Sequence, residues 1–335
     1  MNRTVALVAL VASVVLVAGC ATTPPAASPS QPSPTPTAAQ AVETGETAPA
    51  AVFGGECASV LTDEQLATVF GGEARSLPYE LAYRPDGVLV QQFGGVRCLW
   101  RGGDENAAFD YYLDAAALPA SALDGASMSS KPCEVLAGFE VRCEVAVEAH
   151  GVLFSTLLGL PEETTLDDAD GFAAQLAEAF ESNASTQDDY LAPIQAGDAW
   201  PLDFSCADLA IDVPELLGND NLDLTPDLFE THESPVERVL WGDRQALGCS
   251  WVDNSGQGST VQVVALGGAA WAAEPFSADY PVDGVDSVTV SDEAGLRTFN
   301  VVDGPNWLQL SASSVIDEQV AALIPALVDA LDSAN

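Results

Sequence analysis

The chain has 335 residues, 48% of them hydrophobic, so it can bury more than one core of ordinary size. Fifty acidic residues against ten basic ones give a net charge of −40. Such a surface excludes nucleic acid, whose phosphates need Lys and Arg to displace counterions, and it repels anionic lipid headgroups.

Residues 1–19 read as a secretory signal, with Arg3 ahead of a charge-free apolar run from Val5 to Ala18. The run is about 14 residues, short of the roughly 20 that span a bilayer. It ends in Leu16-Val17-Ala18-Gly19-Cys20, which resembles a bacterial lipobox. That resemblance implies cleavage before Cys20, lipid on its thiol, and a tether on the outer face of the cytoplasmic membrane. Membrane contact is then expected through the lipid anchor alone. Residues 20–52 are rich in Ala, Pro, Ser and Thr and are expected to form a disordered stalk. As polyproline II, at roughly 3.1 Å per residue, such a stalk reaches on the order of 90 Å.

The remainder reads as a duplication, 53–190 and 191–335. Cys57-Ala58-Ser59-Val60-Leu61 opens one half and Cys206-Ala207-Asp208-Leu209 the other. Each opening is followed by a Cys-x-Trp unit, Cys98-Leu99-Trp100 and Cys249-Ser250-Trp251. A first helix is expected in each half. Thr62 caps one, with Gln65 completing a capping box, and Gly71-Gly72 stop it. Asp212 caps the other, Pro214 sits in its first turn and Gly218 stops it. Strand-like runs follow at Phe109 to Leu113 and Thr260 to Val264. Hairpins are expected around His150-Gly151 and Asp303-Gly304, with Phe154 and Trp307 at matching places on the return strands. Each half closes on an amphipathic helix, through Phe172, Leu176 and Phe180 in one and Val320, Leu323, Ile324, Leu327 and Leu331 in the other. Pro325 is expected to kink the last helix.

With Cys20 lipidated, six cysteines remain, and an even number outside the cytoplasm reads as three disulfides. Six cysteines allow 15 connectivities. The duplication selects Cys57–Cys98 and Cys206–Cys249 as the repeated pair and leaves Cys133–Cys143 as a local bridge. Each long bridge contributes roughly 3–4 kcal/mol in the chain-entropy model.

Catalytic signals are weak. His150 and His232 are the only histidines, and both read as surface residues. No G-x-S-x-G elbow is present, and Met128 stands where Lys131 would need a serine. No catalytic residue, metal site or cofactor is assigned. Asp168-Ala169-Asp170-Gly171 imitates part of a calcium loop, but Leu166 and Ala177 occupy its first and last ligand positions. Asn219-Asp220-Asn221-Leu222-Asp223 reads as a possible cation loop or a plain connection. Trp100 and Trp251 read as core. Trp200, Trp241, Trp271 and Trp307 mark the second half as a binding face if exposed.

Lipobox, Pro/Thr stalk, Cys57-x-x-x-Leu61-Thr62, a Gly stop and a later Cys-x-Trp together resemble actinobacterial lipoproteins of unknown function. Residues 57–180 carry that resemblance best, and 206–331 form a weaker second copy. The order helix, strands, hairpin, helix is similar to Mog1/PsbP-like sandwiches of envelope lipoproteins. The expected fold is therefore α+β, two tandem repeats, each an antiparallel sheet packed with helices. The expected function is non-enzymatic binding outside the membrane, with an envelope protein or a small-molecule ligand as partner. A carrier of an apolar molecule is the alternative, and a secreted cell-wall hydrolase a third.

Overall fold

The computed structural model describes residues 48–334 except 71, 73, 78–84, 103–110, 124–127, 137–139, 162, 188–198, 203, 226–239, 242–245, 256–259, 274–278, 294–295 and 314–316. The signal peptide, Cys20, most of the stalk and His232 lie outside the described residues. The stalk read from composition runs to residue 52, but Val52 is fully buried and its N–H donates to the Gly94 carbonyl at 2.9 Å. Burial, not composition, sets that edge.

The first repeat begins with α1 (Cys57–Val60) and α2 (Asp63–Phe70). The capping box forms as the residue types require: Gln65 N–H donates to Thr62 Oγ1 at 3.3 Å, and Thr62 N–H to Gln65 Oε1 at 2.9 Å. Leu66, Val69 and Phe70 face the core. Then come β1 (Ala74–Leu77), α3 (Pro85–Gln92), β2 (Val96–Gly102), β3 (Tyr111–Pro119), β4 (Lys131–Leu136), β5 (Glu140–Ala149), β6 (Val152–Pro161) and α4 (Leu166–Ala184). Asp168 to Gly171 are the first turns of α4, and Asp168 N–H donates to the cap, Thr165 Oγ1. A helix holds the segment that imitated a calcium loop.

The second repeat has α5 (Val213–Leu217), β7 (Leu222–Thr225), β8 (Ala246–Asp253), β9 (Thr260–Leu266), β10 (Ser287–Glu293), β11 (Leu296–Asp303), β12 (Asn306–Ser313) and α6 (Asp317–Ser333), one helix with Pro325 inside it. Asp212 caps α5 and Gly218 ends it in the left-handed region, φ 61°. The sheets run β1-β2-β3-β6-β5-β4 and β7-β8-β9-β12-β11-β10, every pairing antiparallel. Strand for strand the order is the same, and this is the duplication in three dimensions.

Register fixes the equivalences. Cys98, Ala115, Thr156 and Val145 form one row across the first sheet, and Cys249, Val263, Leu310 and Phe299 the same row across the second. Phe154 therefore corresponds to Leu308, and Trp307 to Leu153. The expected match of Phe154 with Trp307 is one residue out, which in a strand means the opposite face. The turns explain the slip. His150 and Gly151 both have positive φ, 49° and 75°, and close Ala149 onto Val152. Gly304 (φ 55°) and Pro305 close Asp303 onto Asn306, so Gly304 matches His150, not Gly151.

Each sheet has one face under its own helices. Phe154 and Phe180 stack there in the first repeat, ring centroids 4.6 Å apart, with Leu66, Val69 and Leu176 around them. Phe299, Leu310, Leu323 and Leu327 fill the same place in the second. The other faces share a third apolar cluster. Val88, Leu89, Val90, Leu118 and Leu153 of the first repeat join Leu240, Val264, Leu266 and Trp307 of the second. The three bridges join Cys57 to Cys98, Cys133 to Cys143 and Cys206 to Cys249. Each long bridge ties a short helical turn at the start of the repeat, opened by Cys57 or Cys206, to the second strand of its sheet.

Candidate functional site

The tryptophans serve burial. Trp100, Trp200, Trp251 and Trp307 are buried. Trp241 and Trp271 are partly buried against the third cluster and donate across the repeats, Trp241 Nε1 to Asp86 Oδ1 at 3.1 Å and Trp271 Nε1 to Gln92 Oε1 at 2.9 Å. Trp241, Trp271 and Trp307 are seam residues and Trp200 belongs to the core of the second repeat, which removes the sequence argument for a binding face there. His150 sits exposed at the tip of its hairpin. Asn219 donates to Asp253 at 3.1 Å, and Asn254 donates to Asp223, so the Asn219–Asp223 connection is tied into its own hydrogen bonds. Ser255 and Asn219 together hold the Asp253 carboxyl below the usual carboxylate range. Among the described residues no group of three His, Cys, Asp or Glu side chains is arranged to hold a metal ion.

Charge is concentrated on the far face of the first sheet, the one turned away from α2 and α4. Five of the chain's ten basic residues belong to it: Arg75, Arg97, Arg101, Lys131 and Arg142. The alternation of strand side chains places them there, because their neighbours Trp100, Cys98 and Cys143 are in the helix-side core. Arg97 is the most deeply set, its side chain 6% exposed. Its Nε donates to Asp114 Oδ1 at 2.9 Å and a second nitrogen to Asp114 Oδ2, a bidentate pair. Its remaining nitrogen lies 3.3 Å from Asp86 Oδ2. Asp86 in turn accepts from Trp241, so a line Asp114–Arg97–Asp86–Trp241 stitches the first sheet, α3 and the second repeat together. Lys131 pairs with Glu144 at 3.0 Å.

One row of this face has a different character. Arg75 is the cross-strand partner of Arg101, Arg101 of Tyr112, Tyr112 of Gly159, Gly159 of Arg142, and Arg142 of Glu134. Arg75 and Arg101 are exposed, and Tyr112 and Arg142 half-buried. The Tyr112 ring lies over Gly159, where a Cβ would stand 2.2 Å from Tyr112 Cε1, so only glycine leaves room for the phenol. The same row in the second sheet reads Asp223, Val252, Thr260 and Ser313, with Leu296 at the place of Arg142. It holds no base. Composition alone hid this contrast, because the bases are scattered over the sequence and only the strand register lines them up.

A separate group of acids gathers where the β11–β12 turn meets the end of α6. Burial raises the Asp303 pKa above the ordinary carboxylate value, and the nearby charges of Asp332, Asp286 and Asp329 raise it further. A raised folded-state pKa means stability that is complete at pH below the unfolded value and lost as pH rises through the folded one. Asp303→Asn is therefore expected to raise the thermal midpoint at neutral pH, with the gain shrinking to nothing in acid. Melting curves of both proteins across pH 3–8 check it, about the span of carboxylate and histidine titration.

The chain is thus an α+β protein of two antiparallel six-stranded sheet units with helices, held by disulfides. No family model matches it, and no curated protein matches it. Among solved structures it is similar to the crystal structure of DynU16, a protein in the dynemicin biosynthetic locus, at 12% identity over 78% of this chain and 97% of that one. The TM-score is 0.19, too low to carry an argument about fold or function.

Proposed function

We propose that this protein is a lipid-anchored, non-enzymatic binding module of a bacterial cell envelope. Cys20 carries the lipid, the residues from there to Ala51 form the linker, and the two repeats follow, the first from the buried Val52 and the second over 191–335, related in plan to Mog1/PsbP-like sandwiches. Support for the envelope comes from three disulfides, which persist in oxidising compartments. The observation that carries the binding role is the divergence of the two far faces. One copy of the sheet bears arginines around a tyrosine, and the other builds the same sheet without them, so the fold does not need them.

Native mass spectrometry of the protein extracted from its own membrane tests this reading. A stoichiometric ligand bound to the intact chain is the expected result. An apolar lipid seated in the protein, in addition to acyl chains on Cys20, would replace the module by a carrier. Cys20→Ala is expected to abolish lipid attachment and the processing that depends on it. A variant that is cleaved and fractionates like wild type would sink the anchor.

A further inference from the structure

We infer that the row Arg75–Arg101–Tyr112 on the far face of the first sheet is a phosphate-binding site. The inference rests on the binding-module reading only in treating the site as non-catalytic, and it supplies the ligand class.

Direct cross-strand pairs of like charge are unfavourable. Arg75 and Arg101 form such a pair in a chain that has only ten bases and fifty acids. The second repeat shows that the sheet closes equally well with Asp223 and Val252 in these positions. Residues directly opposed on neighbouring strands have their Cβ atoms about 5 Å apart, so the planar donor forks of Arg75 and Arg101 are close enough to share one ligand. A carboxylate is filled by a single fork, whereas a phosphate spreads more oxygens and carries up to two charges, so it can engage both. The phosphate also relieves the repulsion between them.

Tyr112 stands on the next strand, its ring laid over Gly159, and offers a face for the body that carries the phosphate. Arg142 follows two strands beyond, roughly 10 Å from Tyr112, within reach of a second acidic group on the same ligand. Arg75, Arg101, Tyr112 and Arg142 also have partners inside the chain, so the ligand joins or displaces those contacts. The protein's own negative field disfavours a long polyanion. A compact phosphate-bearing group fits better.

The test is titration of the full-length protein with inorganic pyrophosphate by calorimetry, beside sedimentation with phosphatidylcholine vesicles with and without phosphatidic acid. Arg75→Gln/Arg101→Gln is compared with Arg297→Gln, which alters a base on the other face of the second sheet. Pyrophosphate binding that weakens about tenfold or more in the double variant, and not in Arg297→Gln, supports a site open to soluble phosphate. Arginine-dependent binding to the phosphatidic acid vesicles alone also supports the site and places the phosphate on a lipid. Arg101→Lys, which keeps the charge but not the fork, is expected to recover only part of the affinity. Circular dichroism shows that the variants are folded. If folded double variant and wild type bind both probes alike, or neither binds, the site is disproved. If the site fails in this way while mass spectrometry still finds a bound ligand, the binding module stands and only this site falls.

Discussion

Trp307→Ala is expected to destabilise the protein by about 3–5 kcal/mol, the usual range for emptying a large aromatic position in a core. Trp307 is completely buried, and it lies in the seam between the repeats rather than in the core of its own sheet. Its cross-strand neighbour Leu266 belongs to the same cluster, and Leu118 and Leu153 reach it from the first repeat. The indole also spends its N–H on Asn300 Oδ1 at 3.2 Å, and Asn300 is itself 1% exposed. Truncation therefore removes packing on both sides of the seam and strips a donor from a buried amide. Trp307→Phe keeps most of the volume and should cost less than half as much. Urea denaturation of the three proteins checks the order. A cost for Trp307→Ala no larger than that of an ordinary surface change, about 0.5 kcal/mol, would show that the repeats are not joined by a close-packed core.

Removing the Cys206–Cys249 bridge by a double change to alanine is expected to cost about 4 kcal/mol, the chain-entropy value for a loop of this length. For a protein of this size that lowers the melting temperature by on the order of 10 °C. The tie is consequential because of what stands ahead of α5. Cys206 sits in a single 3-10 turn, Cys206–Asp208, and α5 has only five residues. Neither element is long enough to hold itself in water. Val213 and Leu217 place α5 on the core, and the bridge fixes the chain's entry to β8. Thermal melts of the oxidised wild type, the reduced wild type and the double variant measure the effect. Equal midpoints for wild type and double variant would mean that the bridge restricts nothing in the unfolded chain.

The repeat was legible because its punctuation is local. Thr62 with Gln65, Asp212 with Pro214 and Gly218, and the two Cys-x-Trp units each state their own boundary. The closing helices were legible from apolar spacing. Trp307 was not, because two hairpins with glycine at different turn positions cannot be aligned by their glycines. The seam was not legible either. Asp86 and Trp241 are 155 residues apart, and Gln92 and Trp271 are 179 apart, and nothing near either member announces the other. The arginine row is a third kind of miss. Arg75, Arg101 and Arg142 share no spacing in sequence, and become a group only when antiparallel register sets their strands side by side.

The third apolar cluster bears on how such a chain arises. Either repeat taken alone would present Leu118 and Leu153, or Leu266 and Trp307, to water as part of an apolar patch. A lone repeat of this kind would need a partner with the same patch, and another copy of itself is the simplest one. Two-fold homodimers solve that problem with identical surfaces. Joining two such units in one chain frees each to change separately, and here one has a row without a base while the other has arginines in the same row. The molecule has the anatomy of a dimer whose subunits have become a covalent, unequal pair.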